Sequence, residues 1–336
     1  MLTTLKRWRF ALIGLLVSLL AGAFFISQMN LAQFGEALQN ARLIMVPPTA
    51  LLIVLGLTAR AVRWRVLLGA GLPFWRAFHI LNVAYFANGI LPLRLGELAR
   101  AYLASLGDPS VPPLRSLSTV IVERLLDVLA VLVLMALALA FAPLPDVLRA
   151  SALLFAPLTF VGFVVLVIVA GQRERALAFV RRWGGDLPFD LVAFTGHFLD
   201  GLAPLTQPRA FALALVWTAI SWSFSVASGY VLMFAFFPQG DLAATLLFTS
   251  AASFAVAVPA VPGNLGTYEA SVWVGLAAMG YGEPLAIATA FAVTIHGLNL
   301  FLNALLGAIG LYAEGVSLGQ LQRGVRGLRT KADSGV

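Results

Sequence analysis

The sequence predicts an all-α polytopic membrane protein, with about six spanning helices and two re-entrant broken-helix hairpins in an inverted-topology repeat. Three observations predict it. Mean hydropathy is +0.93 and only 11% of residues are charged, too little charge for a soluble chain of this size. Apolar runs near the roughly twenty residues that cross a bilayer recur along the chain. Two segments, 73–107 and 241–282, are apolar for a helix length and are then broken by proline, glycine and charge.

The elements follow in order. Lys6, Arg7 and Arg9 precede an apolar run to Ile26. Phe24, Phe25 and Ile26 follow the small residues at 21–23, so this is an uncleaved first helix, 10–29, with a cytoplasmic N-terminus. The stretch 30–43 is amphipathic and expected at the outer interface. Helix two covers 45–68, opening at Pro47-Pro48 and closing with Arg60, Arg63 and Arg65. After the first hairpin, 116–141 forms a long helix ended by Pro143 and Pro145. A span is expected at 151–171, a basic surface segment at 173–183 and an amphipathic stretch at 188–205. A span at 209–237, the second hairpin and a last span at 284–312 complete a single transmembrane domain, 1–315. A basic cytoplasmic tail, 316–336, follows.

Charge orients this layout. With both hairpins returning to the side they entered from, only Arg42 and Arg149 of the 22 Lys and Arg fall in outer loops. Cationic loops stay cytoplasmic, so both termini are placed inside. If 73–107 crossed once, the arginines at 173–182 would face out.

The absences narrow the function classes. There is no cysteine, and the three histidines (His79, His197, His296) are not at ligand spacing. No P-loop, GxGxxG or HExxH motif occurs, so no cofactor and no metal are expected. The net charge of +7 fits cytoplasmic ends of spans better than a nucleic-acid partner.

The two broken segments resemble each other. The first has Pro92, then Gly96 and Glu97; the second has Pro262, then Gly266 and Glu269. Glu97 to Arg124 is 27 residues, and so is Glu269 to His296. Ionisable groups within a membrane are costly and mark sites, and broken helices are a transporter device. The short helices starting near Gly96 and Gly266 would aim N–H groups inward, where an anionic headgroup is the natural ligand. The candidate first-half cluster is Arg94, Gly96, Glu97, Arg100, Glu123, Arg124 and Asp127. It either grips a lipid phosphate or a proton, or forms mutually satisfied ion pairs at the cytoplasmic end. The second-half candidates are Asn264, Gly266, Tyr268, Glu269, His296 and Asn299, with Asn303 on the face of His296 and Asn299. They line a cavity or hydrogen-bond between helices. The serines at 221, 223, 225 and 228 are expected to pack.

LPLRLGELARAYLASL, STVIVERLLDVLAVLVL and VPGNLGTYEASVWVGL, in that order, resemble the lysylphosphatidylglycerol synthase transmembrane-region, flippase-like family. Pro92, Arg94, Gly96, Glu97 and Arg100 match its first motif, Glu123, Arg124 and Asp127 its second, and Pro262, Gly263, Gly266 and Glu269 its third. The family pattern has an arginine where His296 stands. The resemblance implies movement of a polar or anionic lipid between leaflets: aminoacyl-phosphatidylglycerol, a hopanoid or a polyprenyl-linked lipid. The expected setting is a bacterial cytoplasmic membrane, with lipid-synthesis enzymes as partners. Without the fused aminoacyl-transfer domain of the larger synthases, the chain is not expected to be an enzyme. Two alternatives stand beside this: an integral-membrane enzyme using Glu97 or Glu269 as general base, and a scaffold of a lipid or cell-envelope pathway.

Overall fold

The computed structural model describes residues 30–69, 71–90, 95–107, 111, 113–141, 171–183, 202–257, 262–324 and 327, with scattered positions between 157 and 199. The expected first span, 10–29, lies outside them, and that at 151–171 largely so. All regular structure among the described residues is helical.

The chain punctuates its helices as pattern rules require. Helix α1 (Leu31–Gln39) opens on Asn30, whose side chain accepts the Ala32 and Gln33 N–H groups. After a 3₁₀ turn, α2 (Val46–Leu68) starts with prolines in its first turn and stops at Gly69, whose φ of 61° is left-handed. Helices α3 (Phe74–Ile90) and α4 (Gly96–Gly107) form the first broken pair, and α5 (Pro113–Phe141) follows. Basic α6 (Arg173–Trp183) precedes α7 (Pro208–Phe236). The second broken pair is α8 (Leu242–Ala257) and α9 (Thr267–Ala277), joined through a 3₁₀ turn at Pro262–Asn264, before α10 (Leu285–Ala313). Three helical stretches, Leu43–Leu68, Pro208–Phe236 and Leu285–Ala313, are long and apolar enough to cross a membrane. Helix α5 matches them in length, but Arg115, Glu123, Arg124 and Asp127 charge its first half.

Packing repeats between the halves. Helix α2 packs on α7; α3 packs on α10 as α8 packs on α5; α4 lies on α5 as α9 lies on α10. Exchanging residues 46–141 for 208–313 leaves this pattern unchanged. Glycines set the closest approaches, as small residues do between membrane helices. A Cβ on Gly275 would sit 2.4 Å from the Cα of Phe248, fixing α9 on α8. One on Gly310 would sit 2.7 Å from the His79 carbonyl, fixing α10 on α3. The main apolar cluster, with Leu81, Leu232, Phe248, Leu276 and Phe291 at its centre, joins the second broken pair to α2, α3, α7 and α10.

Candidate functional site

The starts of α4 and α9 are built alike. Glu97 lies in the first turn of α4 and Glu269 in that of α9, where a carboxylate complements the helix dipole. Arg124 Nη2 donates to Glu97 Oε1 at 2.5 Å. His296 Nδ1 meets Glu269 Oε1 at 2.6 Å. The equal sequence spacing is thus realised as two contacts, one per half. Where Glu269 is ionised its carboxylate only accepts, and His296 Nδ1 then carries the hydrogen. Tyr268 stacks on the imidazole, ring centres 4.1 Å apart.

One leading N–H group at the start of each helix is already spent. Gly96 N–H donates to Asn88 Oδ1 at 2.8 Å, and Gly266 N–H to Glu269 Oε2 at 2.7 Å. At each helix start the protein's own acceptor thus takes one of the N–H groups expected to face an anionic ligand. Gly96 also serves packing, since a Cβ there would lie 2.0 Å from the Ala84 carbonyl.

Behind α5 runs a buried ion network. Arg63 grips Asp127 through both nitrogens, Nη1 to Oδ1 at 2.7 Å and Nη2 to Oδ2 at 3.3 Å. Arg63 also donates to Thr218 at 3.2 Å, and the Trp222 indole donates to Asp127 Oδ1 at 3.2 Å. One carboxylate thus ties α2, α5 and α7. Arg100 donates to Glu123 at 2.6 Å and lies 4.1 Å over the Trp64 ring. Arg63 Nε lies 4.0 Å from Glu123, joining the two pairs. Arg63, Arg100 and Glu123 are all under 9% exposed. Helix two's arginines were expected at a cytoplasmic end. The structure buries Arg63 within the protein, where Asp127 and Glu123 supply the charge that makes its burial tolerable.

Arg60, one turn before Arg63, has no ion-pair partner among the described residues. Its Nη2 is 3.5 Å from Ser225, its guanidinium 5.8 Å from the Trp222 ring centre, and its Nε is buried without a hydrogen bond. Among the described residues, Arg63, Arg100 and Arg124 each pair with a carboxylate, and Arg60 is the guanidinium of this group without an ion pair, although its attraction reaches Asp127.

Arg60 opens onto a cavity of about 590 Å³. The first half contributes Arg60, Tyr85, Arg124 and Asp127; the second contributes Trp222, Asn264, Tyr268, His296, Asn299 and Asn303. Apolar walls come from Ile53, Leu57, Val128, Phe248 and Ile295. At this cavity Gly263, with φ 69°, lets the second turn approach the Gly89 carbonyl. Of the sequence-predicted residues, Arg124, Asp127, Asn264, Tyr268, His296 and Asn299 line the cavity. Gly96, Glu97, Arg100, Glu123, Gly266 and Glu269 stand behind them. Arg94 lies outside the described residues, as does Pro92. Arg60, Arg63, Tyr85 and Trp222 were missed. The available signal was two arginines one turn apart in an apolar helix. Ser225 and Ser228 line the cavity, yet both hydroxyls bond helix carbonyls, in keeping with a packing role.

Among curated proteins, the chain is similar to the glycosyltransferase AglD of Haloferax volcanii, 25% identical over 346 residues, covering 91% of this chain and 54% of that protein. It thus spans about half the length of that relative. No solved structure matches. The pattern of the lysylphosphatidylglycerol synthase TM region matches residues 11–307. With the apolar spans, this makes the chain an integral membrane protein. The chain belongs to the lysylphosphatidylglycerol synthase transmembrane-region family.

Proposed function

We propose that this protein receives a polar lipid with an anionic headgroup in its central cavity and moves it between leaflets. One observation carries the reading: a cavity of about 590 Å³, lined from both halves, joins apolar walls to a guanidinium, Arg60, that has no ion pair among the described residues. An unpaired charge in such a site is costly unless a counter-charge arrives. Apolar walls beside it suit a ligand that is itself amphiphilic. In this reading the pairs α3–α4 and α8–α9 are re-entrant and enter from opposite faces, as halves of an inverted repeat. The cavity is then the fixed site and one half rocks against the other. Both termini lie on the cytoplasmic side of a bacterial inner membrane, with about six spans in all.

The test is leaflet exchange in proteoliposomes carrying fluorescent phosphatidylglycerol. Exchange above protein-free vesicles, reduced in Arg60→Gln, is expected. Exchange at the protein-free rate for every anionic or glycosylated lipid tried would remove the transport reading.

A second reading is favoured by the relative's name. A chain matching about half of a protein named a glycosyltransferase could serve as the membrane part of a glycosyl-transfer system. Sugar transfer to a lipid by the purified protein, lost in Glu97→Gln, would promote it.

A further inference from the structure

We infer that the Glu269–His296 pair is a proton-binding site at the cavity, which fastens the second broken pair to α10 when protonated and loosens it when neutral. The inference rests on the transport reading above for its role, though not for its chemistry, and names the proton as the regulator of that movement.

The two halves make the same contact with different bases. In the first, Glu97 meets Arg124, and a guanidinium stays charged throughout the ordinary pH range. In the second, Glu269 Oε1 meets His296 Nδ1 at 2.6 Å, and histidine is the side chain whose charge ordinarily changes between about pH 5 and 8. With Nδ1 turned to Glu269, Nε2 is the ring nitrogen left to take a proton. His296 lines the cavity, the side from which a proton reaches it. Uptake turns the imidazole into an imidazolium beside a carboxylate, and no other bond forms or breaks.

Two contacts then strengthen. The hydrogen bond to Glu269 gains charge on both partners. The Tyr268 ring, 4.1 Å from the imidazole centre to centre, then stacks on a cation. Both partners belong to α9. Glu269 Oε2 also accepts the Gly266 N–H at 2.7 Å, so one carboxylate ties the start of α9 to α10. The rest of α9 is fixed on α8 where Gly275 meets Phe248. The hairpin thus moves as one body with a proton-dependent tie to α10. The first half divides these duties, with Asn88 on the Gly96 N–H and Arg124 on Glu97.

Other ionisable groups face the same cavity: Arg60 from α2, Tyr85 from α3, and Arg124 and Asp127 from α5. Helices α7 and α8 add none to the described lining. Arg76 and His79 of α3 lie at Glu314 and Gly310, toward the far end of α10. Glu36 of α1, which also packs on α10, is exposed. Arginine and tyrosine do not ordinarily titrate near neutral pH, and Asp127 is tied to Arg63. Among the described lining residues, His296 is left as the one that changes charge there.

Double electron–electron resonance on the full-length protein tests this, with nitroxides on cysteines introduced into a chain that has none. Val274→Cys with Ile309→Cys reports the second half, and Leu106→Cys with Leu137→Cys the first; all four positions are exposed. Between about pH 5.5 and pH 8, a longer α9–α10 distance is expected to gain about tenfold in population over the shorter one. The α4–α5 distance should not respond. His296→Arg should hold the shorter distance at both pH values, and His296→Gln should show one distribution at both. An α9–α10 distance that ignores pH in the natural protein overturns the inference. A pH response that survives in either variant, or that appears equally in the first half, does the same. Leaflet exchange is scored separately at the same pH values. Its absence removes the transport reading, while the distances still decide the proton site. Exchange that ignores a pH change that moves α9 overturns the regulatory role.

Discussion

Asp127 accepts two bonds from Arg63 and one from Trp222. A half-buried carboxylate so placed, tied to the buried Arg63, is a stability element before it is anything else. Removing its charge leaves Arg63 buried and unbalanced. Asp127→Asn is therefore expected to lower stability by about 3 kcal/mol, near the lower end for a broken buried pair. Combining it with removal of the cation, as Arg63→Met with Asp127→Leu, should recover most of that loss. Detergent unfolding titrations measure both. If the double variant is no better than the single, charge balance is not what holds these helices. Glu269 poses a different question, because its two oxygens do different work. Glu269→Gln keeps an acceptor for the Gly266 N–H, while Glu269→Ala removes it. Alanine is expected to cost about 1 kcal/mol more than glutamine, the usual size of a helix cap. Equal costs would show that the His296 contact alone matters.

At the scale of elements, the glycines of α10 make a controlled comparison. Gly307 and Gly310 face α3, and a Cβ at Gly307 would come 2.3 Å from Phe86 Cβ. Gly297, in the same helix, has nothing within 4 Å. Gly307→Ala is expected to destabilise by about 1–3 kcal/mol through overpacking. Gly297→Ala should be neutral or stabilising by up to about 1 kcal/mol, since alanine favours a helix. Similar effects at both positions would remove the close α3–α10 approach from the account. Helix ends were legible because proline, glycine and asparagine act locally: Asn30, Pro47, Gly69 and Pro284 each stand where a helix changes. The breaks at 96 and 266 were legible for the same reason. What spacing could not supply was the partner of the Gly96 N–H group. Asn88 lies eight residues before Gly96, on the preceding helix.

Over the whole molecule, the sequence resolved periodic features and missed those made by distant folding. The interval of 27 residues in each half became two carboxylate contacts. Arg60 and Arg63 were read only as closing a span at its cytoplasmic end, because loop-charge counting asks which side a cation lies on and not what surrounds it. Their true surroundings come from Asp127, 64 residues beyond Arg63, and from the α7 residues Thr218, Trp222 and Ser225. No local window contains both sides of such a contact. A cavity was among the readings of the polar residues, but its joint lining by α2, α5 and α7 with the second half was illegible for the same reason.

The tie between Arg63 and Asp127 also sets an order of events during synthesis. Helix α2 leaves the ribosome with three arginines in its C-terminal half and no acid of its own, and an arginine costs up to about 2.5–3.5 kcal/mol in a translocating segment, the full amount only at its centre. Its counter-charge follows 64 residues later and its indole cover later still. Helix α2 is thus expected to integrate poorly in a nascent chain ending near residue 110 and efficiently once α5 through α7 have emerged. Glycosylation-site reporters on truncated chains measure this. Equal insertion at every length would mean that the ribosome-bound helix needs no later partner. If the delay is seen, this protein enters its membrane as a cohort of helices rather than one at a time.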